Sequence, residues 1–214
     1  MHLKKWIGKI HLWLGLSSGL VVFIVAVTGC IYAFQSEIQD LTQDYRFVEP
    51  QDKPVLYPTE IWEKADQALP GKHLHAVLYP TAERAAQAIY YSFEEHYYYF
   101  VYVNPYTGEV LKVKDEFADF FRIVLDGHFY LWLPPEIGQP VVAGFTLVFL
   151  VMCISGLILW WPKSKQKKSQ KFSIRWGARW RRKNYDMHQV LGFYVLTFAL
   201  VFALTGLVWG YTWF

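Results

Sequence analysis

Two histidines in this chain head the same pattern. Glycine follows His11 by four residues at Gly15, and threonine follows it by seventeen at Thr28, with Gly29 next; His188 repeats this with Gly192, Thr205 and Gly206. Neutral imidazole is a good iron ligand, and two on one iron fill both axial positions, which favours electron transfer over oxygen chemistry. On a helix of about 3.6 residues per turn, Gly15 lies one turn beyond His11, and Gly29 returns to the same face after about five turns. Gly192 and Gly206 stand in the same relation to His188. Each stripe thus has an imidazole at one end and small residues along it, the room a flat macrocycle needs beside its axial ligand. Such stripes also let membrane helices pack closely without any cofactor. A lone histidine at a span end is equally well served by water or headgroups. The matched pair, at one depth in two helices running the same way, favours iron between His11 and His188.

Positioning such a pair requires membrane helices, and the composition supplies them. Of the 214 residues 54% are hydrophobic and 19% aromatic, concentrated in runs of about Leu12 to Phe34, Val141 to Trp161 and Val190 to Phe214. None of the runs contains Lys, Arg, Asp or Glu. Each has the roughly 20 residues needed to cross about 30 Å of hydrocarbon as a helix. The expected fold class is a membrane all-α protein: three transmembrane helices, with a small extracytoplasmic α+β module between helices 1 and 2. The boundaries expected are 1–34 for the N-terminus and first span, 35–116 for the module, 117–135 for an interfacial helix, 136–161 for the second span, 162–187 for a basic loop and 188–214 for the third span.

Charge sets the expected orientation. Lys4, Lys5 and Lys9 precede the first span, and the stretch from Pro162 to His188 has ten Lys or Arg against one acid, Asp186. Seventeen of the eighteen acids lie between the first two spans. Short basic segments stay in the cytoplasm, so the N-terminus is expected inside, and residues 35–140 and the C-terminus outside. The basic loop reads as a topology signal and a contact for anionic membrane lipid, with no nucleic acid implied. Cys30 and Cys153 fall in different spans and read as packing residues. Val27-Thr28-Gly29-Cys30 is similar to a lipoprotein processing site, but the residues after Cys30 stay apolar and the run is long for a signal peptide, which argues against cleavage.

The stretch between the spans reads as follows. Gln35 to Tyr45 extends the first helix; Thr59 to Leu69 is a short amphipathic helix with Thr59 as N-cap, ended by Pro70-Gly71. Strands are expected at His73–Tyr79, Ala88–Phe93, Tyr97–Val103 and Glu109–Val113, the last two joined by the turn Asn104-Pro105-Tyr106-Thr107-Gly108. Phe117 to Leu133 has apolar residues at spacings of three and four, the pattern of a helix lying on the outer surface, broken by Pro134-Pro135. Trp132, Trp160, Trp161 and Trp213 sit near span ends, where indoles favour the headgroup boundary. His128, just before the second span, is a candidate ligand of a second haem nearer the outer face. His73, His75 and His96 read as exposed strand residues, since a zinc site there would have no Cys or clear acidic partner.

Several of these segments carry a resemblance. Tyr102-Val103-Asn104-Pro105-Tyr106-Thr107-Gly108-Glu109-Val110-Leu111 resembles the strand–turn–strand signature of PepSY domains, with Asn104 where that signature normally has Asp. Lys9-Ile10-His11-Leu12-Trp13-Leu14-Gly15, Ser155-Gly156 through Trp161-Pro162, and Asp186-Met187-His188 through Gly192 resemble the PepSY-associated transmembrane helix family. That family includes iron-regulated membrane proteins and ferric-siderophore reductases of the bacterial inner membrane. The resemblance implies a b-type haem protein transferring electrons across that membrane, with His11 and His188 on the inner haem and His128 on an outer one. One or two haems are expected, because larger members continue into a further span with another histidine. The partner of His128 would otherwise come from a homodimer or a partner subunit.

The chain shows no nucleotide-binding glycine loop, so a cytoplasmic electron donor is expected from outside it. The acceptor implied by the resemblance is a ferric siderophore or another periplasmic species. The rival class is a non-catalytic module, anchored by the helices, that binds or regulates a partner protein; it leaves the matched histidines idle.

Overall fold

A computed structural model describes residues 2–162 and 171–211 of the chain. The lysines between residues 163 and 170, and Trp213, lie outside the described residues. Among the described residues six α-helices and four strands follow in the order α1 (His2–Ala33), α2 (Gln35–Thr42), α3 (Pro58–Ala68), β1 (Leu74–Leu78), β2 (Ala86–Ser92), β3 (Tyr97–Val103), β4 (Val110–Asp115), α4 (Phe120–Tyr130), α5 (Pro135–Trp160) and α6 (Trp180–Gly210). Two compact units result, one of residues Met1–Val27 with Asp126–Phe214 and one of Thr28–Leu125.

The first unit is helical. Leu3–Ala33, Pro135–Trp160 and Trp180–Gly210 are each long and apolar enough to cross a membrane. Their outward residues are large and apolar: Leu16 is 73% exposed, Leu20 70% and Phe202 70%. Water would penalise so much exposed apolar surface, whereas hydrocarbon does not, and the helix satisfies its own backbone there. This is a multi-pass membrane protein. Helix α6 starts at Trp180, inside the stretch expected as basic loop. No breaker stands between Trp180 and His188, and Arg182 pairs with Asp186 one turn on at 2.8 Å, so the polar turn joins the apolar one.

Helices α5 and α6 pack antiparallel through small residues. A Cβ at Gly210 would fall 2.6 Å from Ala143, and one at Gly206 3.4 Å from Thr146 Cγ2. Val190, Ala203 and Leu207 are buried in this unit, and Trp160 stacks on Phe193 with ring centres 4.0 Å apart. Close approach through small side chains is how helices gain dispersion contact where lipid removes the hydrophobic drive.

The second unit is an antiparallel sheet in the order β1-β2-β3-β4, with α3 on one face. Ile61 and Ala65 of α3 meet Ala86, Ala88, Tyr90, Tyr97, Val101 and Val103, all buried. Helix α3 begins one residue before Thr59, so its N-cap is Tyr57, not Thr59. Pro58 suits the first turn because its missing N–H has no intrahelical partner there. Glu60 then accepts a hydrogen bond from the Tyr57 backbone N–H at 2.8 Å. In the β3–β4 turn, Asn104 Oδ1 accepts from the N–H groups of Tyr106 (2.9 Å) and Thr107 (3.2 Å). An Asp oxygen would do the same, so the departure from the signature keeps its function. Gly108 takes φ +75° here, with Leu56 only 3.2 Å from where a Cβ would stand. The surface helix is shorter than expected: α4 runs Phe120–Tyr130, entered as Asp119 accepts from the Phe121 N–H at 2.8 Å. Leu131 and Trp132, at φ 54° and 58°, turn the chain into α5.

Candidate functional site

Helix α1 runs antiparallel to α5, as a ladder of contacts shows. Lys4 Nζ donates to the Trp161 carbonyl at 3.2 Å; further along, the positions of Gly8, His11 and Gly15 face Leu159, Gly156 and Met152. Since α6 is also antiparallel to α5, α1 and α6 run the same way. His11 and His188 therefore come together, with ring centres 6.4 Å apart and planes at 66°. Metal–imidazole bonds of about 2 Å, plus about 1.2 Å from each ligating nitrogen to its ring centre, put two imidazoles on opposite sides of one ion about 6 Å apart. The observed separation of 6.4 Å is close to that figure.

The rings are held differently. His11 is half-buried, and its Nδ1 lies 2.8 Å from Ser155 Oγ. That hydroxyl donates to the Met152 carbonyl at 3.1 Å. His188 is exposed and borders an open hollow of about 500 Å³ with Trp180, Arg181, Asn184 and Tyr185. Just before it, fully buried Asp186 accepts at Oδ2 from Arg175 Nε at 3.2 Å and the Arg175 backbone N–H at 3.3 Å, and its Oδ1 forms an ion pair with Arg182 at 2.8 Å. Lys171 Nζ donates to Gln189 Oε1 at 2.8 Å, and burial lowers its pKa, with Lys4 adding to that. The start of α6 is thus tied to the chain before it on both sides of His188.

His128 stands apart from the pair. Its Nδ1 lies 2.9 Å from the Val25 carbonyl. A carbonyl only accepts, so Nδ1 is the donor. Val25 is fourteen residues beyond His11 on α1, about 21 Å along the helix at about 1.5 Å per residue.

The four glycines have unlike surroundings. A Cβ at Gly15 would meet Met152 Cε at 2.9 Å, Gly206 faces Thr146, and Gly192 has nothing within 4 Å. Gly29 is half-buried and belongs to the second unit. In that unit His75 approaches Tyr91 edge-on and His96 stacks on Phe117 at 4.8 Å. Among the described residues no group of three or more His, Cys, Asp or Glu is placed to hold a bare metal ion. Both cysteines are free thiols.

The model of the PepSY-associated TM region matches residues 9–214. The chain belongs to that family. A search of curated proteins finds no match. In this PepSY-associated protein the residues that the spacing of histidines does not reveal are Ser155 and Gly156. Gly156 leaves room for His11, whose Cε1 would lie 3.3 Å from a Cβ there. The sequence signal was the Ser-Gly pair ending α5, alike in kind to the Thr-Gly pairs on the other spans.

Proposed function

We propose that this protein is a b-type haem electron carrier of the bacterial inner membrane, with its N-terminus in the cytoplasm and its C-terminus in the periplasm. The observation that carries the reading is the 6.4 Å between the His11 and His188 ring centres, on helices that run the same way. When bound, such a haem supplies a one-electron couple with both axial positions filled. His11 and His188 are the residues that would hold it, and Gly192 leaves open space beside its own ligand. Trp180 and Tyr185 border the hollow beside His188 with aromatic rings, and Arg181 and Asn184 bring donors there suited to carboxylates. His128 takes the outer position that the family motif implies, its second axial ligand coming from a second copy or a partner subunit. A cytoplasmic donor delivers electrons on the basic side, and the acceptor outside is a ferric siderophore or another periplasmic species.

The test is a dithionite-reduced minus air-oxidised absorption spectrum of the detergent-purified protein, with a pyridine haemochrome assay. Sharp α and Soret bands of low-spin haem b are expected. One or two haems per chain decides the role of His128. Protein that stays colourless after haem is added back overturns the reading and leaves the anchored partner-binding module in its place.

A further inference from the structure

We infer that Ser155 is the positioning residue that fixes the tautomer of His11 and so aims its metal-binding nitrogen; the link to haem, though not the tautomer, rests on the function proposed above. Ser155 is 8% exposed, with its Oγ 2.8 Å from His11 Nδ1 and 3.1 Å from the Met152 carbonyl oxygen. A hydroxyl has one proton to give. If it goes to Met152, Nδ1–H of His11 donates to Oγ, and both hydrogen bonds form. If it goes to Nδ1, the Met152 bond is lost and the imidazole proton sits on Nε2. The first arrangement makes two hydrogen bonds where the second makes one, so it satisfies more groups. It leaves the Nε2 lone pair available to a metal.

The geometry around Ser155 supports a dedicated role. Gly156 removes the side chain that would crowd the ring, with His11 Cε1 3.3 Å from a Cβ placed there. The partner imidazole of His188 is within 6.4 Å, centre to centre. A donor hydrogen bond from the second ring nitrogen is how ligating histidines are oriented and made more basic, and its loss typically costs about 10- to 100-fold in metal affinity. His128 is held in the same tautomer by a carbonyl. Position 11 differs in that a replaceable side chain does the work.

The experiment compares wild type, S155A and S155T as the full chain in lipid nanodiscs. Alanine favours the helix, so S155A is expected to fold. Threonine keeps a hydroxyl that can bond the preceding turn. Nitrogen NMR of isotope-labelled histidine, without haem, reads the His11 tautomer, its signals assigned by their loss in H11A. The Nδ1–H form is expected in wild type and S155T and a mixture in S155A. Haem titration should then show about 10- to 100-fold weaker retention in S155A, with a higher midpoint potential because the less basic ligand stabilises ferric iron less. An unchanged tautomer and unchanged haem affinity in S155A overturn the inference. Wild-type protein that takes up no haem while S155A still scrambles the tautomer overturns the haem reading and leaves the role of Ser155 standing.

Discussion

The helical unit and the sheet unit put their polar side chains to opposite uses. Around the sheet, charges close on one another. Asp40 accepts from Arg84 Nη1 at 2.9 Å and pairs with Arg46 at 3.1 Å. Lys114, 8% exposed, sits between Glu116 at 2.9 Å and Asp119 at 3.0 Å. Among the helices, His11 spends one nitrogen on Ser155 and has the other left for chemistry. Under the function proposed above, chemistry belongs to the first unit and rigidity to the second, and substitutions in each should show it.

The largest effect is expected from His11→Ala or His188→Ala. Either should remove the haem proposed between them, read as one haem fewer per chain by pyridine haemochrome, because one imidazole cannot fill both axial positions. Circular dichroism should remain that of wild type, since neither ring is part of a buried core. A haem content per chain equal to wild type in both variants would erase the contrast between the units.

Gly192→Leu comes next and separates cofactor from packing. Nothing lies within 4 Å of a Cβ there, so a leucine disturbs no helix contact. If the space serves a macrocycle, haem occupancy falls toward that of His188→Ala while the protein stays monodisperse on size exclusion. Gly206, which already faces Thr146, is the counterpart: enlargement there disturbs α5 against α6 and lowers stability with or without haem.

Ile61→Ala reverses the direction of attack. Ile61 is fully buried beneath the sheet, and truncating such a side chain costs about 2–5 kcal/mol from lost transfer energy and the cavity left. Denaturant unfolding should show that loss, with haem spectrum and stoichiometry unchanged. A spectral change would mean that the two units are not energetically separate.

How much of this was readable beforehand divides along the same line. Three spans, four strands and the Asn104–Gly108 turn are local, written in apolar run length, β-branched and aromatic density, and turn chemistry. The early start of α6 was harder, because Trp180 to Tyr185 is polar and becomes helix through the Arg182–Asp186 pair and packing rather than through an apolar stripe. The approach of His11 to His188 was inferable from their matched depth, since alternating crossings make the helices parallel. Ser155 was not. Its partnership with His11 spans 144 residues of sequence and depends on the rotation of α5, which no local pattern encodes. Likewise, the spacing that makes Gly15 and Gly192 equivalent does not reveal that one faces Met152 and the other open space.

The smallest effect, and the most specific to the scaffold, concerns acid. The hydrogen bond from Arg84 holds the Asp40 carboxyl below its usual range, outweighing partial burial, with Arg46 and Arg84 adding charge attraction. A depressed carboxylate contributes stability that is present above its unfolded pKa and is lost as pH falls through the folded value. Glu116 has the opposite sign: burial raises its pKa despite Lys114 beside it, so its contribution is present at low pH and is lost as pH rises through the folded value. Asp40→Asn should therefore cost about 1 kcal/mol at neutral pH, a partly exposed charge-assisted bond, and nothing once the wild-type carboxyl is protonated. Unfolding curves of the two proteins should converge as pH drops below the ordinary carboxylate range. If they stay parallel, Asp40 acts by packing and not by its charge. Because Glu116 titrates in both proteins, its slope cancels in the difference, and the convergence reads Asp40 alone.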